Sequence, residues 1–219
     1  MSPDRTKGVL DKNPKPLLLL GDGGHCRACI DVVEAEGSYR VAGVVQQVGK
    51  SKGAVMGYPV LGTDDDLPAL IKHTPRILVT VGQIKTFEVR KRLFELAQRH
   101  DAEMPVIVSP RAYCSCHAVV GGGTILMHGS LVNANVRIGA NCIINSQALI
   151  EHDAEIADHS HIATGARVNG GVRIGRGCFI GSGAILKEGI EIGAGSIIGA
   201  GQIVLRDVPA GKTLRGPHA

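Results

Sequence analysis

Tryptophan is absent from the 219 residues, and aromatic side chains make up 3% of them. A core with so few rings has to be aliphatic, and the stacking platforms that hold single-stranded nucleic acid are missing. No block of like charge is present either. The net charge is +4 with scattered basic residues, which excludes nucleic acid as a partner. The run Leu17-Leu18-Leu19-Leu20 stops at glycines after four residues, where a membrane span needs about twenty. With no signal-peptide pattern at the start, the protein is expected in the cytoplasm and without a membrane partner.

What the chain does contain is a ladder. Every sixth residue from Val108 to Val204 is Val, Ile or Leu, with Cys114 the one exception among seventeen positions. A period of six fits neither a helix, near 3.6, nor a flat strand, at 2. It fits a solenoid whose sides are six residues long, each aiming one branched side chain inward. The fourth residue after a ladder position is small, as at Cys142, Ala148, Ala154, Ser160, Ala166, Cys178, Ala184 and Ser196, which suits a corner. Glycine follows the ladder residue directly at Gly139, Gly175, Gly181, Gly193 and Gly199, where the backbone must bend or lie close to something. Cys142 and Cys178 on the corner and Cys114 on the ladder indicate reduced, buried thiols.

The first half reads differently. Residues 1–15 are polar with two prolines and form a loose tail. Strands are expected at Leu17–Leu20, Val41–Val45, Tyr58–Leu61 and Ile77–Val81, and helices over Cys26–Glu36, Asp64–Lys72 and Phe87–Arg99. This alternation gives a small Rossmann-like α/β domain with a parallel sheet over residues 16–106. The β-helix then occupies residues 107–219. In such a sheet ligands sit beyond the carboxyl ends of the strands, marked here by Gly21-Asp22-Gly23-Gly24-His25 and by Gly82-Gln83. A glycine turn before a helix offers bare N–H groups to a phosphate. Cys26 replaces the last glycine of the dinucleotide fingerprint, and the second strand ends in Gln46-Gln47 without an acid for a ribose. NAD is therefore disfavoured, and a sugar nucleotide is the remaining diphosphate ligand.

Histidines cluster in the solenoid at His128, in Glu151-His152-Asp153 and in His159-Ser160-His161. With three sides per coil, residues eighteen apart stack, so His152 lies between Ala134 and Gly170. Two small neighbours leave an open notch beside an imidazole flanked by carboxylates, a setting suited to a general base. His159 reads as a lone surface histidine without a role. Zinc held by three histidines is disfavoured, because gaps of 9 and 24 residues do not give paired ligands.

The glycine turn after a strand, the small α/β domain and a hexapeptide ladder carrying Ile150-Glu151-His152-Asp153 together resemble the bacterial sugar O-/N-acyltransferases. These include the N-acetyltransferases of nucleotide-linked 4-amino sugars in the bacillosamine and perosamine pathways, and sialic acid O-acetyltransferase-like proteins. The similarity runs over about residues 16–217, including Arg215-Gly216-Pro217. It implies a left-handed β-helix, a homotrimer, and acetyl-CoA as acyl donor in the groove between neighbouring helices. It further implies His152 as catalytic base and Asp153 as the acid that tunes it, with His161, Ser182 and Ala200 touching the coenzyme. By the same resemblance Gly23, Gly24 and His25 hold the phosphates of a nucleotide sugar and Gly82 belongs to a second binding loop. Gln46-Gln47 stands where uridine-binding relatives often carry acids. The loop from Gln83 to Val89 before Arg90 is longer than the usual turn, so the substrate contacts assigned to Gln46, Gln47 and Gln83 are particular to this chain. The expected activity is N-acetylation of a nucleotide-linked amino sugar for surface glycan synthesis. O-acetylation of a sialic-acid-like sugar and a non-catalytic trimeric binding protein are the alternatives.

Overall fold

The computed structural model describes residues 13–49 and 53–216. Most of the proposed N-terminal tail and Pro217 of the closing motif lie outside the described residues. The first part comprises β1 (Lys15–Leu20), α1 (Gly24–Glu36), β2 (Tyr39–Gln46), β3 (Ala54–Val55), β4 (Tyr58–Thr63), α2 (Leu67–His73), β5 (Ile77–Val79) and α3 (Glu88–Arg99). Their sheet order is β3-β4-β2-β1-β5, parallel except for the β3–β4 hairpin. Leu17 to Leu20 are 0–1% exposed because β1 is central and covered on both faces, as its unbroken apolar run requires. The acidic segment Asp64–Asp66 forms a single 3-10 turn ahead of α2, with Asp66 accepting from the Thr63 backbone N–H. Since β2 and β5 flank β1 on opposite sides, chain direction reverses beyond its carboxyl end, where such sheets open a crevice.

From β6 (Ile107–Val108) to β23 (Thr213–Leu214) the chain is a left-handed parallel β-helix of two-residue strands in three sheets. Register is offset by eighteen residues at each step, as in Ile107, Ile125, Ile143, His161, Phe179 and Ile197, until a final step of sixteen to Thr213. The ladder side chains fill the column: Val132, Ile150, Ile162, Val168, Ile180 and Leu186 are all 0% exposed. The small residues four positions on, from Cys142 to Ser196, are equally buried and fill the corners from inside.

The solenoid holds two kinds of glycine. Those just after a ladder residue lie close to the next coil: a Cβ on Gly181 would stand 2.5 Å from the backbone nitrogen of Ala200. The bend itself falls three residues after the ladder position, where the backbone is left-handed. Glycine occupies that position from Gly165 to Gly201, but Asn135, Asn141, Gln147, Asp153 and His159 occupy five consecutive corners with φ of 55–61°.

One solenoid sheet is covered by the α/β part. Ile107, Ile125, Met127 and Ile143 join Leu17, Leu19, Cys29, Ile30 and Val33 in a single buried cluster, so the core is continuous across residue 107. His128 adds a tether, bonded through Nε2 to Asp31 of α1 (2.7 Å) and through Nδ1 to Ser109 (2.6 Å). Helix α3 covers a corner. His159, expected at the surface, is instead 4% exposed, stacked at 6.4 Å on Phe87 and meeting Phe94 edge-on at 5.5 Å. The sequence pattern places it on a corner, but only the tertiary packing of α3 buries it.

Truncating one ladder residue is expected to weaken the whole column. Ile162→Ala should cost about 2–5 kcal/mol in urea unfolding, whereas Arg167→Ala on the exposed face should stay within about 0.5 kcal/mol. Equal midpoints for the two variants would contradict a packed column.

Candidate active site

The Gly21–His25 turn and the Gly82–Gln83 turn face each other across a cavity of about 730 Å³ at the carboxyl ends of β1 and β5. Helix α1 starts at Gly24 behind an extended Gly23, and no side chain caps it. Nothing stands within 4 Å of the position a Cβ would take on either glycine, and the first-turn N–H groups of a helix have no intrahelical acceptor. Gln47 lines this cavity, whereas Gln46, 3% exposed, lines a separate cleft of about 320 Å³ beside Thr63 and Asp66. Of the two glutamines, only Gln47 shares a wall with the glycine turns.

The solenoid closes the cavity with Asn145 and His161. His161 is 7% exposed, and its Nδ1–H donates to the Gln83 carbonyl at 2.6 Å. That bond leaves Nε2 as the acceptor for the Asn145 amide at 3.1 Å, which fixes the tautomer. Burial pulls the His161 pKa down to about 4, and burial with the nearby Arg90 charge pulls that of His25 to about 3. Both imidazoles are neutral at pH 7. Gln83 donates to the carbonyls of Gly177 (3.4 Å) and Cys178 (3.2 Å), and the Phe87 ring packs over Gly177. The long loop before Arg90 is thus fastened to the solenoid at both ends. Asn145 has no counterpart in the sequence reading. Its signal is an amide at a position that elsewhere in its column holds Met127, Ala163, Gly181 and Gly199. Cys26 and Cys29 have Cys-x-x-Cys spacing, a pair that the sequence reading of the six cysteines overlooks. Both thiols are buried, free and raised in pKa by desolvation, so neither supplies a thiolate.

His152 stands on another corner, outside this cavity, with its side chain 63% exposed. Asp153 Oδ2 accepts from Nδ1 at 2.8 Å, and Asp153 Oδ1 accepts from Asn135 at 2.6 Å. Asn133 donates to Glu151 at 2.9 Å. The bond from Asp153, with help from the charges of Asp153 and Glu151, raises the His152 pKa above 6.5; the Asn135 and His152 bonds lower that of Asp153. With Nδ1–H committed to the carboxylate, Nε2 carries the free lone pair. The expected notch is real: a Cβ on Gly170 would fall 2.8–2.9 Å from the imidazole. A groove of about 660 Å³ runs along the adjoining sheet, bordered by Arg137, Glu155, Arg173 and Glu191. Ser182 and Ala200 are exposed on the corner two and three coils above Ser146, along the edge that borders the cavity at Asn145. One chain therefore brings Gly23, Gly24, His25, Gly82, Gln83, Gln47 and His161 together, with Ser182 and Ala200 farther up the same prism edge, while His152–Asp153 lies on another edge.

A stacked-hexapeptide solenoid with an exposed His–Asp dyad, joined to a glycine-turn α/β domain, defines the class of hexapeptide-repeat acyltransferases. Residues 16–96 match the PglD N-terminal domain and residues 171–206 match the hexapeptide repeat of succinyl-transferase. The acetyltransferase domain of PglB from Neisseria gonorrhoeae FA1090, solved with acetyl coenzyme A, is 30% identical with a TM-score of 0.84, over 93% of this chain and 97% of that one. Perosamine N-acetyltransferase from Caulobacter crescentus, solved with CoA and GDP-perosamine, is 32% identical with a TM-score of 0.85, over 94% of each chain. WeeI from Acinetobacter baumannii AYE, at 24% identity and a TM-score of 0.80, shares the fold. No curated protein sequence matches significantly. The chain belongs to the acyltransferase family of the PglB acetyltransferase domain and perosamine N-acetyltransferase.

Filling the notch tests the dyad without touching it. The Cβ of Gly170→Ala meets only the end of an exposed side chain, so stability should stay within about 0.5 kcal/mol. The displaced imidazole should lower acetyl transfer by about 10²-fold. Unchanged turnover in a folded G170A protein would show that the ring position is immaterial.

Proposed function

We propose that this protein transfers the acetyl group of acetyl-CoA to the amine of a nucleotide-linked amino sugar, with His152 as general base. The observation that carries the reading is the exposed His152–Asp153 dyad, at 2.8 Å, in a chain of this acyltransferase family. The neutral amine attacks the thioester carbonyl, His152 Nε2 takes the proton from the attacking nitrogen, and CoA thiolate leaves. Backbone N–H groups of the solenoid stabilise the oxyanion. Transfer is direct: Cys142 and Cys178 are 0% exposed and burial raises both pKa values, that of Cys142 to about 12. The glycine turns and the uncapped end of α1 bind the diphosphate, and the cavity holds the sugar near Asn145 and His161. GDP-perosamine in the Caulobacter enzyme supports a nucleotide-linked amino sugar as the substrate class.

A homotrimer completes the site. Within one chain His152 occupies a different edge of the prism from the sugar cavity and from Ser182 and Ala200. A neighbouring copy reconciles them by laying its His152 corner against the cavity of the first, with acetyl-CoA along the groove between them and Ser182 and Ala200 at its wall. No helix among the described residues is long and apolar enough to cross a membrane.

Acetyl-CoA with UDP-, GDP- and CMP-linked 4-amino sugars, followed by CoA release, tests the activity. His152→Ala should lose about 10²–10⁴ in kcat, and an N-acetyl product should survive mild base. A parent-like H152A rate would refute the base assignment. The pH profile tests Asp153. Because the His152 pKa is raised, activity should fall as pH drops through it, starting above the ordinary 6.5. Asp153→Asn should move that acid limb to lower pH and reduce the plateau, since the carboxylate that raises the pKa and orients the ring is gone. An unmoved limb would assign the titration to another group.

A further inference from the structure

Arg90 of α3 is 1% exposed, the largest fully buried side chain among the described residues. Its Nη1 donates to the carbonyls of Val79 (2.6 Å) and Val81 (3.0 Å), and its Nε to the carbonyl of Asn141 (3.1 Å). Nη2 has no partner, and no carboxylate pairs with the guanidinium among the described ion pairs. A buried cation held by carbonyls alone is expensive, since nothing opposite in sign offsets its desolvation.

The groups around it deepen the anomaly. Burial raises the thiols of Cys29 and Cys142, and lowers His25, His161 and His159, all of which sense or share the Arg90 charge. All are neutral at pH 7. Burial lowers Arg90 itself only to about 10, so it remains protonated. The charged residues lining the nucleotide cavity are Asp22, Asp64 and Arg92, with Asp64 and Arg92 paired at 2.9 Å. Two acids against one base leave the lining with a formal charge of −1, the wrong sign for a diphosphate. Arg90 sits one peptide layer behind that wall, bonded to the Val81 carbonyl where the Gly82 turn begins.

We propose that Arg90 is a positioning residue that supplies the nucleotide cavity with its buried counter-charge, acting on the diphosphate through the Val81–Gly82 peptide layer. This rests on the nucleotide-sugar reading above. The carbonyls take the place of a carboxylate so that the positive charge is held in place but left uncancelled. Binding the diphosphate then supplies the missing anion, and in low dielectric a charge acts across the intervening peptide.

The test compares UDP and GDP with uridine and guanosine, binding to native protein, Arg90→Gln and Arg90→Lys by calorimetry. R90Q keeps an amide donor for the carbonyls but has no charge. It should weaken diphosphate binding about tenfold or more while nucleoside binding is unchanged; R90K should keep most of the diphosphate preference. A structural role alone would shift diphosphate and nucleoside equally, which would overturn the proposal. Should R90Q not fold, R90K alone still decides. Burial lowers a lysine pKa, so raising the pH from 7 to about 9.5 should cost R90K diphosphate affinity more than the native protein. The same loss in both proteins would overturn it. If the native protein binds neither diphosphate, the nucleotide reading fails and this proposal with it. Tight native binding with a parent-like R90Q defeats only the role of Arg90.

Discussion

In the second half of the molecule, residues eighteen apart lie on one another through parallel pairing, so each side chain is packed by its own counterparts above and below. The aliphatic column enforces this register. A slip of one residue would drive Arg137, Arg167 or Arg173 inward in place of Ile138, Val168 or Ile174, exchanging apolar contacts for buried unpaired charge. Because the register is so tightly held, a side chain can be placed by counting. Gly170 lies above His152 and Asn135 pairs with Asp153, each eighteen residues away.

The corners show how function is fitted into that repeat. Left-handed backbone costs a non-glycine residue roughly 1–2 kcal/mol, and the later coils avoid the cost with glycine. Between residues 135 and 159 the chain accepts it five times, each with a polar side chain. Four of the five are partnered across one coil, Asn135 with Asp153 and Asn141 with His159, so bonds at 2.6 and 2.9 Å offset the strain. One pair anchors the acid behind the candidate base. The other sits under α3, where the domains join. The departure from glycine coincides with the candidate dyad and with the domain junction.

These facts set what could be read from residues alone. The ladder fixes the fold because period six has one structural solution, and the corner phase fixes His152 and its notch because stacking follows from the period. The same counting left the bend at the wrong step: small and glycine residues at two other phases drew attention, although the left-handed position falls between them at Asp153 and Gly165. Contacts between the two halves were not legible. His159 became buried and Arg90 acquired carbonyl partners from Val79 and Asn141 only because α3 lies across a corner, and no periodicity encodes that placement. His161 is an intermediate case. Its column is countable, but its bond to the Gln83 carbonyl depends on where a loop from the other domain comes to rest.

The junction also explains why the two halves act as one enzyme rather than a binding module beside a catalytic one. The cavity wall is shared: Gln83 reaches Gly177 and Cys178, His161 holds the Gln83 carbonyl, and Arg90 bonds both the Val81 carbonyl and that of Asn141. Shifting the α/β part against the solenoid would unpair several of these buried groups at once, each costing roughly 1–3 kcal/mol. The cavity is therefore fixed relative to the prism. The prism in turn fixes the dyad, and in an assembly of identical chains it fixes the dyad of the next copy. Acyl transfer needs an amine, a thioester and a base within about an ångström of productive geometry. A rigid column with a rigidly docked cavity supplies that alignment without a closing lid, provided each chain lends its His152 to a neighbour.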